Sequence, residues 1–91
     1  MSEWVDFGAD EVRFRLPHDD ANILCRVTSV ALQDYTRAGT VWNHVMALKA
    51  FKAHRGEIEA VAKKLLERGE LEEDGSVLIT FPRIEALYLE V

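Results

Sequence analysis

Three arginines and a single cysteine are the side chains of this sequence with the most chemical potential. Arg13 and Arg15 alternate with apolar residues in "VRFRL", and Arg26 follows Cys25 in "ILCRV". Guanidinium forks match the oxygens of carboxylates and phosphates, so Arg13, Arg15 and Arg26 are the candidate residues for binding an anion or an acidic partner segment. A cysteine acts as nucleophile or ligand only as the thiolate, which needs an accessible, electropositive setting. Alternation puts Cys25 with Ile23 and Val27 on an apolar face. Burial there raises a thiol pKa and makes the group inert, so Cys25 is expected to be structural and slow to react. A lone cysteine also excludes an internal disulfide and a cysteine-based zinc site, and it fits a reducing compartment.

The histidines do not converge. His18 stands in a turn beside Asp19 and Asp20, and His44 and His54 are ten residues apart. On one helix that spacing points them about 80° apart and separates their Cα atoms by about 15 Å. This is not the i, i+4 pairing of a helical metal site, and no metal is expected. There is no phosphate-binding glycine loop and no nucleophile elbow, and the carboxylates of "ELEED" fall in a solvated turn. No catalytic residue and no cofactor are therefore assigned.

The elements that must hold these residues can be read from periodicity. Val12, Phe14 and Leu16 share one face of a strand, and Ile23, Cys25 and Val27 share one face of another. The turn-rich "PHDDAN" between them predicts a hairpin. Pairing Leu16 with Ile23 sets Phe14 opposite Cys25, Val12 opposite Val27, Arg13 opposite Arg26 and Arg15 opposite Leu24. Like charges directly across a ladder destabilise it by some tenths of a kcal/mol. Either Glu11, Glu85 or Glu90 neutralises these arginines, the expectation preferred here, or an external anion does.

Thr28 is the expected N-cap of a helix over "SVALQDYTRA", stopped by Gly39. Thr40 is the expected cap of a longer helix to about Arg68, closed by Gly69, with Val41, Val45, Leu48, Phe51, Ile58, Ala62 and Leu65 as its apolar stripe. Twenty-nine helical residues would extend about 43 Å, beyond the roughly 30 Å diameter of a compact chain of this length. The stripe also rotates about Gly56. A bend near His54–Gly56 is expected in preference to an overhang covered by a second subunit. "EEDGS" reads as a turn and "VLITF" as a strand, and 83–91 is expected to be a strand pairing with it. The whole predicts one α+β unit over 1–91, a two-layer sandwich in the order β-β-α-α-β-β. Its small, mainly antiparallel sheet carries helices on one face.

Composition narrows function. At 48% apolar and 30% charged, the chain can build a core and need not be disordered. No apolar run approaches the roughly 20 residues that span a bilayer, and the acidic start "MSEWVDFGADE" does not resemble a secretory signal. A cytoplasmic protein is expected. The net charge of −5 argues against nucleic acid. Residues 40–69 carry six basic and three acidic side chains, but Arg55, Glu59, Lys63 and Glu67 alternate in sign every four residues, as in a solvated ion-pair ladder. Trp4, Tyr35, Trp42 and Tyr88 fall near element ends, where they suit the rim of a core or a self-association surface.

In its ordered pieces the chain resembles a small bacterial family, domain-of-unknown-function family 1488. The resemblance covers roughly residues 11–80 and rests on Val12 and Phe14, Cys25, Thr28, Ala31 and Leu32, Phe51, Arg55, Ile58 and Glu59, and Gly69. Val30 departs from it, standing where an acidic residue would favour the first helical turn. The resemblance implies a compact α+β fold and no activity. Two function classes follow from the residues. One is a non-catalytic interaction or regulatory module, with a protein partner or self-association. The other is an anionic small-molecule binding protein or enzyme that uses Arg13, Arg15 and Arg26 on the open sheet face.

Overall fold

The structure is a computed structural model and describes residues 3–37 and 43–89. Two long strands, β2 (Glu11–His18) and β3 (Ala21–Thr28), form the hairpin that alternation predicts. Their register is the expected one, with Leu16 opposite Ile23, Phe14 opposite Cys25 and Val12 opposite Val27. The strands run further into the turn than "PHDDAN" suggested. His18 pairs with Ala21, leaving two aspartates to reverse the chain. Asp19 takes φ 54°, a left-handed conformation that aspartate tolerates.

Two further strands, β1 (Glu3–Asp6) and β4 (Val77–Ile79), complete the sheet in the order β1-β2-β3-β4. The short β1 pairs antiparallel with β2 at one edge. At the other edge β4 pairs parallel with β3, so the sheet is mixed rather than purely antiparallel. The reason lies in the connection. After β3 the chain crosses one face of the sheet through three helices and returns in the direction of β3, as a crossover must for parallel neighbours.

The first of these helices, α1 (Ser29–Thr36), begins at Thr28, whose hydroxyl accepts the Ala31 N–H at 3.0 Å as a cap should. It stops at Arg37, two residues before the expected Gly39, and the φ of 55° at Arg37 takes the αL role assigned to that glycine. Gly39 and Thr40 lie outside the described residues, as does Trp42. The next helix, α2 (His44–Ala53), is capped by Asn43, whose side chain accepts the Met46 N–H at 2.9 Å.

The predicted bend is present, and its pivot is His54. That residue leaves helical geometry (φ −118°, ψ 25°), ends α2 and starts α3 (Arg55–Glu67). Each half then turns its own stripe to the sheet, Ala47 and Phe51 from α2 and Ile58, Val61, Ala62 and Leu65 from α3. Gly56 sits just inside α3, and a Cβ built on it meets no atom within 4 Å. Gly56→Ala is accordingly expected to raise stability by about 0.5–1 kcal/mol, read as a higher urea midpoint with unchanged slope. At the far end Gly69 (φ 72°) closes α3. Its N–H reaches the Leu66 carbonyl and the Glu70 N–H reaches that of Leu65, the paired bonds of a Schellman stop.

The expected C-terminal strand is instead helical. After β4 the chain forms α4 (Phe81–Ile84) and a π-helical turn (Glu85–Leu89). Phe81, Ile84 and Leu87 recur every three residues, a helical spacing, and Ile84 and Leu87 are buried. Pro82 occupies the first turn of α4, where its missing N–H is harmless, whereas it would break a ladder. Parallel β4 sits at the sheet edge, and Lys64 Nζ ties the following turn to α3 through the Leu87 carbonyl at 2.8 Å.

The core lies between the sheet and its helices. Val12, Phe14, Cys25, Val27, Val77 and Ile79 are fully buried on the covered face. The rings of Phe14 and Phe51, 4.9 Å apart, join the sheet to α2, and burial of each contributes about 2–3 kcal/mol.

Candidate functional site

Alternation leaves the other face of the sheet for polar side chains, and the register sets them in rows. Trp4 pairs with Arg13, Arg13 with Arg26, and Arg26 with Leu78; Arg15 pairs with Leu24; Asp6 pairs with Glu11, and Glu11 with Thr28. The three candidate arginines are thus brought together, as expected, but they are not equivalent.

Arg13 and Arg26 face each other across the ladder and share one carboxylate. Glu11 Oε1 accepts from Arg13 Nε at 2.9 Å, and Glu11 Oε2 lies 3.2 Å from an Arg26 terminal nitrogen. The Glu11 side chain is 5% exposed, so the arginines cover it. Asp6 takes a second Arg13 nitrogen at 3.1 Å, and the Ser76 hydroxyl takes Arg26 Nε at 3.2 Å. Ser76 is in turn held by Asp74, whose carboxylate accepts both its N–H and its hydroxyl. Those hydrogen bonds, the hydroxyl's first, hold the Asp74 carboxyl below its ordinary value, and nearby Arg26 adds to the effect. Of the three expected neutralisers Glu11 does the work. Glu85 is exposed in the C-terminal turn, and Glu90 lies outside the described residues.

Arg15 differs. It is exposed and, among the described residues, pairs with no carboxylate. Its guanidinium lies 5.6 Å from the centre of the Trp4 ring, and Trp4 is 36% exposed. An arginine held over a tryptophan ring keeps its edge donors free for an oxygen acceptor. Trp4 and Ser76 escaped sequence reasoning as parts of this face. Trp4 belongs to a strand too short to show alternation, and Ser76 precedes one of only three residues.

The covered face holds Cys25, fully buried, its Sγ directed at the Ile23 carbonyl at 3.6 Å. Burial, helped by the negative charge of Glu59, pushes its pKa up to about 12. The other chemical candidates are dispersed. His18 lies 3.6 Å from Asp19, His44 3.0 Å from Asp10 and His54 3.7 Å from Glu57. Among the described residues no group of three His, Cys, Asp or Glu side chains could hold a metal ion. The expected ladder on α3 begins with Arg55 and Glu59 at 2.9 Å, but Arg55 also binds Glu3 and so fastens β1 to the helices. These bonds, with Glu59 first, hold the Arg55 guanidinium above its already high ordinary value. A cleft of about 470 Å³ opens between β2 and α3, lined by Leu16, Pro17, Gly56, Glu59, Ala60 and Lys63. Its one carboxylate, Glu59, is committed to Arg55, and Lys63 is its other charged side chain.

Comparison with known proteins bears on the fold. A family model described as protein of unknown function (DUF1488) matches residues 3–79. A solved structure of a protein of unknown function from that family, from Shewanella loihica PV-4, superposes with a TM-score of 0.75 at 23% identity. The match covers 85% of this chain and 84% of that one. No curated protein matches. Among the described residues no helix is long and apolar enough to cross a membrane.

Proposed function

We propose that this chain, which belongs to the family of proteins of unknown function DUF1488, serves as a cytoplasmic, non-catalytic interaction module that docks an acidic protein segment on its open sheet face. The observation that carries this reading is the inequality of the three arginines. Arg13 and Arg26 are engaged by Glu11, Asp6 and Ser76, which makes them a rigid floor. Arg15, held over the Trp4 ring, offers the unengaged donors. A pocket for a small anion would need converging free donors. Here one free guanidinium stands beside exposed aromatic and half-buried apolar surface (Trp4, Leu24 and Leu78). That combination suits the centre of a protein contact, where tryptophan and arginine are enriched.

The test is affinity capture from the native cytoplasm with the unmodified chain and with Arg15→Glu, followed by mass measurement of the intact complexes. Retention of a stoichiometric polypeptide that falls at least about tenfold with Arg15→Glu, a loss typical of a binding hot spot, is the expected result. A polypeptide retained equally by both baits would remove Arg15 from the docking surface and overturn the proposal.

A further inference from the structure

Strand β2 is covered along only half of its outer edge. β1 pairs with it from Glu11 to Phe14, and among the described residues no strand lies beside Arg15–His18 on that side. The hairpin decides which backbone groups this leaves open. His18 and Ala21 close a two-residue turn, so they exchange hydrogen bonds, and every second residue of β2 back from His18 does the same with β3. The residues between them turn N–H and C=O the other way. Arg13 thus faces Trp4 in β1, and Arg15 and Pro17 face the uncovered edge. Pro17 fits there, because proline within a sheet is confined to places where its missing N–H costs no ladder bond. On β4 the same alternation turns Leu78 outward, and Arg83 takes its carbonyl at 2.8 Å. Among the described residues no side chain covers the Arg15 N–H or the carbonyls of Arg15 and Pro17 in this way.

A cleft runs beside these groups. Leu16 and Pro17 point to opposite faces of the sheet, so the cleft of about 470 Å³ that both line reaches round the strand edge. Gly56, Glu59, Ala60 and Lys63 of α3 form its other wall. Arg55, which starts α3, binds Glu3 opposite Phe14, so the cleft continues the line of β1. A Cβ on Gly56 meets no atom within 4 Å, which leaves the wall open at that point. Two cations flank the edge, Arg15 on the open face and Lys63 at the cleft. Both are exposed, and among the described residues neither has a carboxylate partner. The cleft's own carboxylate, Glu59, is held by Arg55.

We infer that an acidic segment of a partner protein adds to this edge of β2 as a short antiparallel strand, in line with β1. This rests on the reading of Arg15 given above and adds how the segment is held. One of its residues exchanges both backbone bonds with Arg15 and, lying on the Arg15 face, carries a carboxylate for the free guanidinium. The next residue points to the other face and lays an apolar side chain in the cleft over Leu16, Gly56 and Ala60. Lys63 adds attraction for an acidic chain. Asp19 and Asp20 stand in the turn beyond Pro17 and repel a carboxylate placed past it, so the acidic residue belongs opposite Arg15. Backbone bonds hold such a strand and the alternate side chains select it.

The test uses the full chain and a synthetic peptide, blocked at both ends, in which glutamate alternates with valine. Calorimetry reads its dissociation constant, and nuclear magnetic resonance reads hydrogen exchange at the Arg15 amide. Binding is expected to slow that exchange at least about tenfold. Arg15→Glu, Lys63→Glu and Gly56→Leu, which fills the cleft, are each expected to raise the dissociation constant at least about tenfold. Methylating the peptide's glutamate nitrogens should do the same, because it removes the donor to the Arg15 carbonyl and keeps every side-chain charge. The methylated peptide leaves the protein unaltered, so it decides the matter even where a variant does not fold. Absence of binding at about 1 mM peptide, the weak end of measurable affinity, overturns the inference. So does equal binding of the methylated peptide, unchanged Arg15 exchange at saturation, or indifference to Gly56→Leu. If capture of a polypeptide stays dependent on Arg15 when one of these fails, the open-face reading stands and only the strand addition is lost. Capture indifferent to Arg15→Glu removes both.

Discussion

Replacing Glu11 with alanine is expected to destabilise the fold by about 3 kcal/mol, the lower end of what losing one partner of a buried charge group produces. The figure is taken low because Arg13 and Arg26 keep 25% and 19% of their side-chain surface in water, where solvent screens them. The mechanism is specific. Register fixes the two guanidiniums opposite each other, and without the shared carboxylate two like charges confront one another over a site with little water. Asp6 still holds Arg13, and Ser76 still accepts from Arg26, which limits the loss. Glu11→Gln, which keeps one acceptor without the charge, should fall between the parent and alanine. Combining Glu11→Ala with Arg26→Met removes the repulsion and should recover part of the stability, a coupling that a double-mutant cycle reads directly. The measurement is the urea midpoint of each variant. A loss below about 0.5 kcal/mol, no more than an ordinary surface substitution, would mean the arginines do not depend on Glu11.

Cys25 is expected to react with a soluble thiol reagent at pH 8 at least about a thousandfold more slowly in the native chain than in the denatured one. Raising the thiol pKa from 9.0 to about 12 lowers the thiolate fraction at that pH by about three orders of magnitude. Full burial adds the need for an opening event. Native labelling within tenfold of the denatured rate would refute the structural assignment. The same shift makes stability depend on alkali. Below pH 9 the thiol is protonated in both states and contributes no slope. Between pH 9 and 12 the unfolded chain loses the proton and the folded chain keeps it, so ionisation favours unfolding by about 1.4 kcal/mol per pH unit. Cys25→Ala abolishes this component, and the difference in unfolding free energy between the two proteins across that range isolates it from lysine and tyrosine titration.

The hairpin shows how much two periodic strands can specify. Once Val12, Phe14 and Leu16 were to face Ile23, Cys25 and Val27, only one parity avoided sending an apolar row to water, and the register followed. The same argument assigned Cys25 to the core and the three arginines to the opposite face. Helix ends were readable where a residue type marks them, the capping hydroxyl of Thr28 at a start and the left-handed glycine Gly69 at a stop. The bend was readable because an unbroken helix would exceed the size of the fold, and its pivot, His54, falls within the expected His54–Gly56.

What escaped notice was short or decided by neighbours. Strand β1 has four residues and β4 three, too few for alternation to stand out. The parallel pairing of β4 depends on which edge of the sheet remains free after the three-helix crossover. The final segment has a helical spacing in Phe81, Ile84 and Leu87, but its β-rich residues suggested a strand, and packing against the other helices decided the matter.

The candidate site divides in the same way. Local alternation alone determined that Arg13, Arg15 and Arg26 share a face, because a strand has only two faces and the covered one was filled by apolar side chains. Only the tertiary structure decided which arginine is available. That choice depends on Asp6, Trp4 and Ser76 arriving from neighbouring segments and on Glu11 reaching across the ladder to Arg26 as well as along its own strand to Arg13, and the cross-strand distances are fixed by strand pairing rather than by any single segment.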